Sequence, residues 1–590
     1  MRPLPGRNSS PATGGVASGY YMSRLRREER LDSKRANVID YVTLLKQHRA
    51  FFILIAFAAV LFLSDIWIYK EFVRAESYFA LGSRLMVEQG DWLTPHAPDE
   101  FALNKPPLTY WLIGAAYKLF GTNYGSARLP SVLAALLVLA IVYSLAVRLN
   151  GRRAALISVA MLASSFLFLS FARMAMSDML LTLCVTASLT CFVLALNDQA
   201  PQSKALVLLG YVALALGVLV KGPVAVVLVA APIGLEMAIR RSRAELKKLR
   251  VVPGLVLFAL IAAPYFLFVY AWAGPGPLRF FFLSENLQRF TGDVYGASGR
   301  PIWYELAAFF SDFAPWSIFV FAALWFNWRD RARGSSASRT LHLWLGATIV
   351  LFSLSSFKLD YYLLPAMPAS ALIVAPVIAN AEKLANVVRR CVQALLVLCS
   401  AMIVVVALLS LKAAAVLSVS TPLRFLPIIM AVAGFLLMIA LLAKRKTWQS
   451  TFVLTATMWL TFVTMQWALL PAFVGYLPAT RLAAAVPAGS AVYTSSGASD
   501  WANGIAFNLP APHNVERLIG VNANEKLVSA LRSDAKSVAI IRESEYANLL
   551  IQDPSLKIIG QAETFGHGGL SLNMIRNPRR ERLLLVGHDR

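Results

Sequence analysis

The chain has 590 residues, 58% of them hydrophobic and only 15% charged, with a mean hydropathy of +0.60, whereas a soluble domain is about half apolar and about a quarter charged. That argues against a soluble enzyme and for a polytopic membrane protein. Apolar stretches recur from Phe51 to Phe473, each about 17 to 25 residues and so able to cross a hydrocarbon core about 30 Å thick as a helix. Lys+Arg 56 against Asp+Glu 32 gives a formal net charge of +24. The basic residues cluster in short loops between apolar runs, where they signal the cytoplasmic side and attract anionic lipid heads rather than nucleic acid.

In chain order, residues 1–49 read as a cytoplasmic basic arm carrying Arg24, Arg26, Arg27, Arg30, Lys34, Arg35, Lys46 and Arg49. That arm is far too long for the n-region of a cleaved signal peptide. Its stretch 3–19 is rich in Pro, Gly and Ser, which predicts disorder. Residues 50–472 form the transmembrane domain. Spans are expected at 50–69, 129–148, 154–172, 179–197, 205–220, 222–240, 253–273, 303–327, 341–357, 361–380, 391–411, 423–443 and 452–472, about thirteen crossings. The pair on either side of Lys221 is divided only by Val220-Lys221-Gly222-Pro223, a helix-stopping signal. With the N-terminus inside, alternate loops fall on the cytoplasmic side, and nearly all are basic, as at Arg148 to Arg153, Arg240 to Arg250 and Lys444-Arg445-Lys446. That agreement supports an odd number of crossings and an outer C-terminus. Cys184, Cys191, Cys391 and Cys399 fall inside apolar runs and read as buried packing, with no disulfide or metal-ligand spacing.

After Phe473 the composition becomes that of a soluble domain, 473–590. β-rich runs at Ser490 to Thr494, Ser537 to Ile541, Leu556 to Ile559 and Arg582 to Val586 alternate with a helical Asn524 to Ser533, predicting a small α/β unit. It carries no nucleophile elbow, P-loop or dinucleotide fingerprint. No internal repeat of fixed period is visible, which weakens a transporter reading.

Polar residues gather on the other, extracytoplasmic face. The juxtamembrane loop 70–128 holds Arg74-Ala75-Glu76-Ser77-Tyr78-Phe79, Gly90-Asp91-Trp92 and Asn104-Lys105-Pro106-Pro107-Leu108-Thr109-Tyr110-Trp111. Later outer loops hold Arg173 to Asp178, Lys221-Gly222-Pro223, Glu285 to Phe290, and Lys358-Leu359-Asp360-Tyr361-Tyr362-Leu363-Leu364-Pro365. Any one of these charges is as readily an interfacial anchor. Lys105, Lys221, Arg289 and Lys358 together run against the positive-inside bias and suit an anion. Glu76, Asp178 and Asp360 are carboxylates able to activate a nucleophile or shape the cationic site. The adjacent Tyr and Trp side chains suit a sugar or an isoprenoid. His96, in a Pro-broken loop beside Asp99 and Glu100, reads as an ordinary loop residue before it reads as a metal ligand. The Gly-containing loop at Asp293 and Tyr295 reads either as a gate over the site or as a plain connection.

The order and spacing of these motifs, from about Asp65 to about Ala381, resemble the polytopic glycosyltransferases that include lipid A aminoarabinose transferase and the protein O-mannosyltransferases. The resemblance implies an all-α C-type glycosyltransferase fold with a small C-terminal periplasmic α/β domain. The implied donor is a sugar on a polyprenyl phosphate, transferred with inversion at the periplasmic face of a bacterial inner membrane. It assigns Glu76 and Asp178 as catalytic, Lys105, Lys221, Arg289 and Lys358 to the donor phosphate, and Tyr78, Tyr110, Arg173, Asp360, Tyr361 and Tyr362 to substrate binding. The family's usual Asp-Glu pair is Ala75-Glu76 here, and its acidic residue before Lys-Pro is Asn104. No metal ligand is therefore assigned, although a divalent ion stays open. The acceptor is a lipid A or other glycolipid, a glycan or, in the O-mannosyltransferase alternative, a protein. A non-catalytic homologue and a lipid-sugar transporter are the readings from other classes.

Overall fold

A computed structural model describes residues 47–94, 104–197, 203–292, 299–329, 335–359, 361–510, 515–518, 522–565 and 578–588. Residues 1–46 of the basic arm, His96, Asp99, Glu100, Asp293, Tyr295 and Asp360 lie outside the described residues.

The membrane part is helical throughout. Among the described residues, eight helices are long and apolar enough to span a bilayer, or nine if the bent pair Tyr304–Asp312 and Ser317–Asn327 is one span. These criteria return fewer than the thirteen crossings expected, partly because of chain breaks and partly because the helices at 50–69, 222–240 and 361–380 are short, Val224–Arg240 having 17 residues. The spans expected at 129–148 and 154–172 lie on one run, Tyr124–Ser164, broken at Gly151 with φ 79°. The span expected at 303–327 is two helices bent by 111° around a segment containing Pro315, whose ring cannot continue a helix. The apolar helices Gln47–Leu63 and Leu364–Ala379 are shorter than the eight.

Ser177–Ala195 is apolar on every side, and 89% of its most apolar window is buried, as befits a helix at the centre of a bundle. It packs against Tyr124–Ser164 and Lys204–Lys221. Cys184, Cys191 and Cys399 are buried as expected, but Cys391 is exposed. The helix Asn386–Val416 turns Val392, Leu396, Cys399 and Ile403 inward, and Cys391 falls off that stripe.

Toward the C-terminus a five-stranded sheet follows, in the order β2-β1-β3-β5-β4. Its strands are β1 (Val492–Thr494), β2 (Val515–Arg517), β3 (Val538–Arg542), β4 (Leu556–Thr564) and β5 (Glu581–His588). β1 runs parallel to β2 and β3, while β5 is antiparallel to β3 and β4. The short strand β2 was not expected, because Val515-Glu516-Arg517 carries too little apolar pattern to signal one.

The helix Arg74–Gln89 joins this domain to the bundle. Its Leu81 enters the core formed by Leu482, Ile505, Val538 and Leu583, and its Phe79 enters another with Tyr110, Tyr124 and Phe507. Tyr124 donates to Asn508 Oδ1 at 2.8 Å, and Thr480 donates to the Lys70 carbonyl at 3.0 Å.

Candidate active site

Two consecutive helices supply the first ion pair. Asp178 lies in the first turn of Ser177–Ala195, where the helix dipole favours an anion, and Lys221 ends Lys204–Lys221, where it favours a cation. The packing of these helices brings Lys221 Nζ to 2.5 Å from Asp178 Oδ1. The ammonium also faces the rings of Tyr361 and Tyr362, at 5.7 and 5.4 Å from their centroids, within cation–π range. The chain turns sharply after Lys221 because Gly222 takes φ 82°, and a Cβ there would lie 2.4 Å from the Phe281 ring. Only glycine permits that turn and that approach.

The second cluster centres on Glu285, which is buried within the π-helix Phe280–Gln288. Its Oε2 accepts from Lys105 Nζ at 2.7 Å and from Arg289 Nη1 at 3.1 Å, so one oxygen holds two cations. Arg289 lies 4.4 Å above the Phe357 ring. Burial pulls the Lys105 pKa below the ordinary lysine value; Glu285 opposes that shift, and Arg289 and Lys221 reinforce it. Tyr362 feels both clusters. Burial pushes its phenol up to about 12, Arg289 pulls it down, and Asp178, Glu285 and Glu305 push it further up. Lys105, Lys221 and Arg289 are thus electrostatic neighbours drawn from three separate stretches of chain.

Lys105 borders a small, half-open apolar recess lined by Tyr265, Phe266, Val269, Leu278 and Phe281. Phe266 and Phe281 stack on one another in that lining, with ring centroids 6.0 Å apart. An apolar recess with one cation at its mouth suits a ligand with a hydrocarbon tail and an anionic head.

The remaining expected residues have other surroundings. Glu76 is buried and receives Arg128 Nε at 3.0 Å and Nη2 at 3.2 Å, besides the amides of Ala175 at 2.8 Å and Val73 at 3.2 Å. Both of its oxygens are occupied by the fold. Arg128 in turn donates to the carbonyls of Ile66, Tyr69 and Glu71. Arg173 pairs with Asp65 and donates to Gln466 Oε1 at 3.1 Å, tying three segments together. Tyr110 is fully buried with Phe79, at a ring distance of 5.2 Å, and Tyr78 packs against it at 6.2 Å. Tyr110 is therefore a core residue. The Lys358 ammonium is buried and donates to the Ser355 carbonyl, while its own carbonyl accepts from Arg300 at 3.1 Å. Among the described residues no three His, Cys, Asp or Glu side chains converge as a metal site. Asn104 Oδ1 is buried and has no hydrogen-bond partner among the described residues.

Two residues that organise the site were not singled out from sequence. Glu285 stood in a noted motif, and its i,i+4 spacing to Arg289 was the available signal. Arg128 lies in a Ser-Ala-Arg-Leu-Pro run that carries none.

The family described as dolichyl-phosphate-mannose-protein mannosyltransferase matches residues 104–272, which include Lys105, Asp178 and Lys221. An uncharacterized protein of Aquifex aeolicus is 30% identical over 313 residues, covering 53% of this chain and 60% of that one. An undecaprenyl phosphate-alpha-4-amino-4-deoxy-L-arabinose arabinosyl transferase of Pseudomonas fluorescens is 31% identical over 304 residues, covering 50% of this chain and 52% of its own. The chain thus spans little more than half the length of the curated relatives it matches. The crystal structure of ArnT from Cupriavidus metallidurans bound to undecaprenyl phosphate superimposes with a TM-score of 0.71 at 21% identity, covering 91% of this chain and 98% of that one. The chain thus shares the fold of that crystal structure, and its segment similar to the mannosyltransferase family carries Lys105, Asp178 and Lys221, three of the clustered residues.

Proposed function

We propose that the protein is an integral membrane glycosyltransferase that moves a sugar from a polyprenyl-phosphate donor to a lipid A-type or other glycolipid acceptor. The observation that carries this reading is the convergence of Lys105, Lys221 and Arg289 beside an aromatic-lined apolar recess. Relatives named for undecaprenyl-phosphate aminoarabinose transfer supply the donor class.

In this mechanism the phosphate sits among the three cations and the isoprenoid chain lies along the apolar lining formed by Tyr265, Phe266 and Phe281. The bond from the anomeric carbon to the phosphate oxygen breaks, and its electron pair leaves with the phosphate. Fixed cations stabilise the charge that develops there. An acceptor oxygen bonds to the opposite face of the sugar, which inverts the anomeric carbon. Asp178 takes the proton when the acceptor is a hydroxyl; a phosphate acceptor has none to lose. Glu76, held by Arg128 and two amides, fixes the loop before Arg74–Gln89 rather than serving as the base. That assignment accommodates Ala75, since no carboxylate is then required at the position before Glu76. Tyr361 and Tyr362 hold Lys221 in place.

The basic loops set the membrane orientation of this reading, with the N-terminus in the cytoplasm and the sheet domain in the periplasm of a bacterial inner membrane. Mass spectrometry of lipid-linked sugars and envelope glycolipids, from cells with and without the gene, tests the reaction. Accumulation of one polyprenyl-phosphate sugar and loss of one sugar from a glycolipid is the expected result. Unchanged pools in both fractions would refute it.

A further inference from the structure

Glu285 is the least expected element of the cluster, because a carboxylate inside an anion site competes with the anion. Its burial and its two short contacts identify it as the present occupant of the cationic pocket. One oxygen, Oε2, takes both Lys105 Nζ and Arg289 Nη1, the bridging position that a phosphate oxygen would need. Lys105 and Arg289 remain partly exposed, at 21% and 24% of their side-chain area, so an incoming anion can reach them without opening the bundle.

The backbone beneath Glu285 is also unusual. Phe280–Gln288 is wound as a π-helix, a rare conformation frequently found at functional sites. Rewinding it by one residue would swing Glu285 away from Lys105. The same segment carries Phe281, which lines the recess and touches the turn at Gly222. Movement of Glu285 is thereby coupled to the apolar recess and to the Lys221 turn.

We propose that Glu285 is a positioning residue that holds Lys105 and Arg289 ready while the site is empty, is exchanged for the donor phosphate, and re-enters to expel the polyprenyl phosphate product. This inference rests on the donor assigned above. The charge accounting supports the sequence of events. The donor is a phosphodiester with one negative charge, so its exchange for a carboxylate is even. The product is a phosphate monoester that gains a second charge near neutral pH and would bind the two cations more tightly, which makes a competing carboxylate useful at release.

The test is binding of undecaprenyl phosphate to the purified full-length protein in nanodiscs, together with steady-state turnover. Glu285→Gln keeps the shape and removes the charge. Its Kd for undecaprenyl phosphate is expected to fall about tenfold, equivalent to about 1.4 kcal/mol, with kcat reduced and KM lowered together. Glu285→Asp keeps the charge and is expected to return both constants toward those of the unsubstituted protein. A purely structural Glu285 predicts weaker binding in the Gln variant and no recovery by Asp, and either finding overturns the inference. Tight binding by the unsubstituted protein with an unchanged Kd in Glu285→Gln overturns the inference and leaves the donor reading standing. Absence of saturable binding by the unsubstituted protein overturns both.

Discussion

Two charge clusters sit at opposite ends of the helix Val224–Arg240 and use the same residue types differently. At the end nearest Lys221, Glu285 holds Lys105 and Arg289, and Asp178 holds Lys221, with every cation partly open. At the other end, Glu236 is fully buried and takes Arg240 Nε at 2.7 Å together with Arg339 Nε at 2.7 Å and Nη2 at 2.6 Å. Arg240 also donates to the Leu196 carbonyl at 2.8 Å and pairs with Glu245. There the carboxylate is enclosed, its oxygens accept from two fork-shaped guanidiniums, and three helices are fastened together. The comparison teaches that shared carboxylates near a membrane face differ by their setting: two guanidiniums grip both oxygens of Glu236, whereas one oxygen of Glu285 takes an ammonium and a guanidinium beside an apolar recess. The first arrangement fastens helices; the second leaves cations next to a space a ligand can enter.

If that distinction holds, substitutions in the two clusters must fail in different assays. Removing a cation from the first, as in Lys105→Ala or Arg289→Ala, should lower kcat about a hundred- to a thousandfold while the thermal midpoint changes little. Normal turnover in both purified variants would remove the leaving-group assignment. In the second cluster, Glu236→Ala leaves two arginines facing a buried gap, at a cost of about 3 kcal/mol. The expected result is a lowered thermal midpoint and reduced yield, with unaltered KM in the molecules that fold. A changed KM there would erase the contrast.

Gly222→Ala probes the join between the Lys221 turn and the π-helix. A Cβ inside the Phe281 ring, at a positive φ, should destabilise by about 1–3 kcal/mol and weaken undecaprenyl phosphate binding by displacing Phe281. The smallest expected effect is at the aromatic pair. Tyr362→Phe keeps the ring facing Lys221 and should hold kcat/KM within about threefold, whereas Tyr362→Leu loses a cation–π contact of about 1 kcal/mol and should fall further. Equal activity in Phe and Leu variants would show that the ring does not hold Lys221.

A third carboxylate belongs to neither group and gives a pH signature. Glu71 is buried between Arg128 and the start of the helix Pro478–Ala485 of the sheet domain, and burial pushes its pKa up to about 8 from 4.5. The backbone amides of Thr480 and Ala479 and the charge of Arg128 limit that rise. The folded protein therefore binds a proton that the unfolded chain has released. The stability this lends is complete below pH 4.5 and is lost as pH rises toward 8. Glu71→Gln, permanently neutral, should melt like the unsubstituted protein near pH 5 and at a higher temperature near pH 9. Parallel melting curves at the two pH values would contradict that account.

Much of this was legible in the amino-acid order. Hydropathy fixed the polytopic helical class, because backbone polar groups in a bilayer can only be satisfied within a helix or closed barrel. The cations Lys105, Lys221, Arg289 and Lys358 stood out because they opposed the loop bias, and packing turned the last of them onto the Ser355 carbonyl. The bend before Ser317 and the shorter helices were invisible, since periodicity registers apolar length and not where a chain breaks. The burial of Glu76 and Tyr110 was not legible, because a charge and an aromatic in a loop carry no sign of it. Tertiary packing gave Glu76 to Arg128 and placed Tyr110 in the core beneath the sheet domain.

The sequence by itself determined that this chain lives in a membrane, which side its basic loops favour, and which ionisable residues run against that pattern, since each follows from local composition and the solvent properties of lipid. Only the tertiary structure decided which of those charges are shared and which are sealed. That outcome depends on residues as distant as Lys105 and Glu285 meeting at 2.7 Å, a contact set by helix packing and by the glycine turn after Lys221, not by any spacing along the chain.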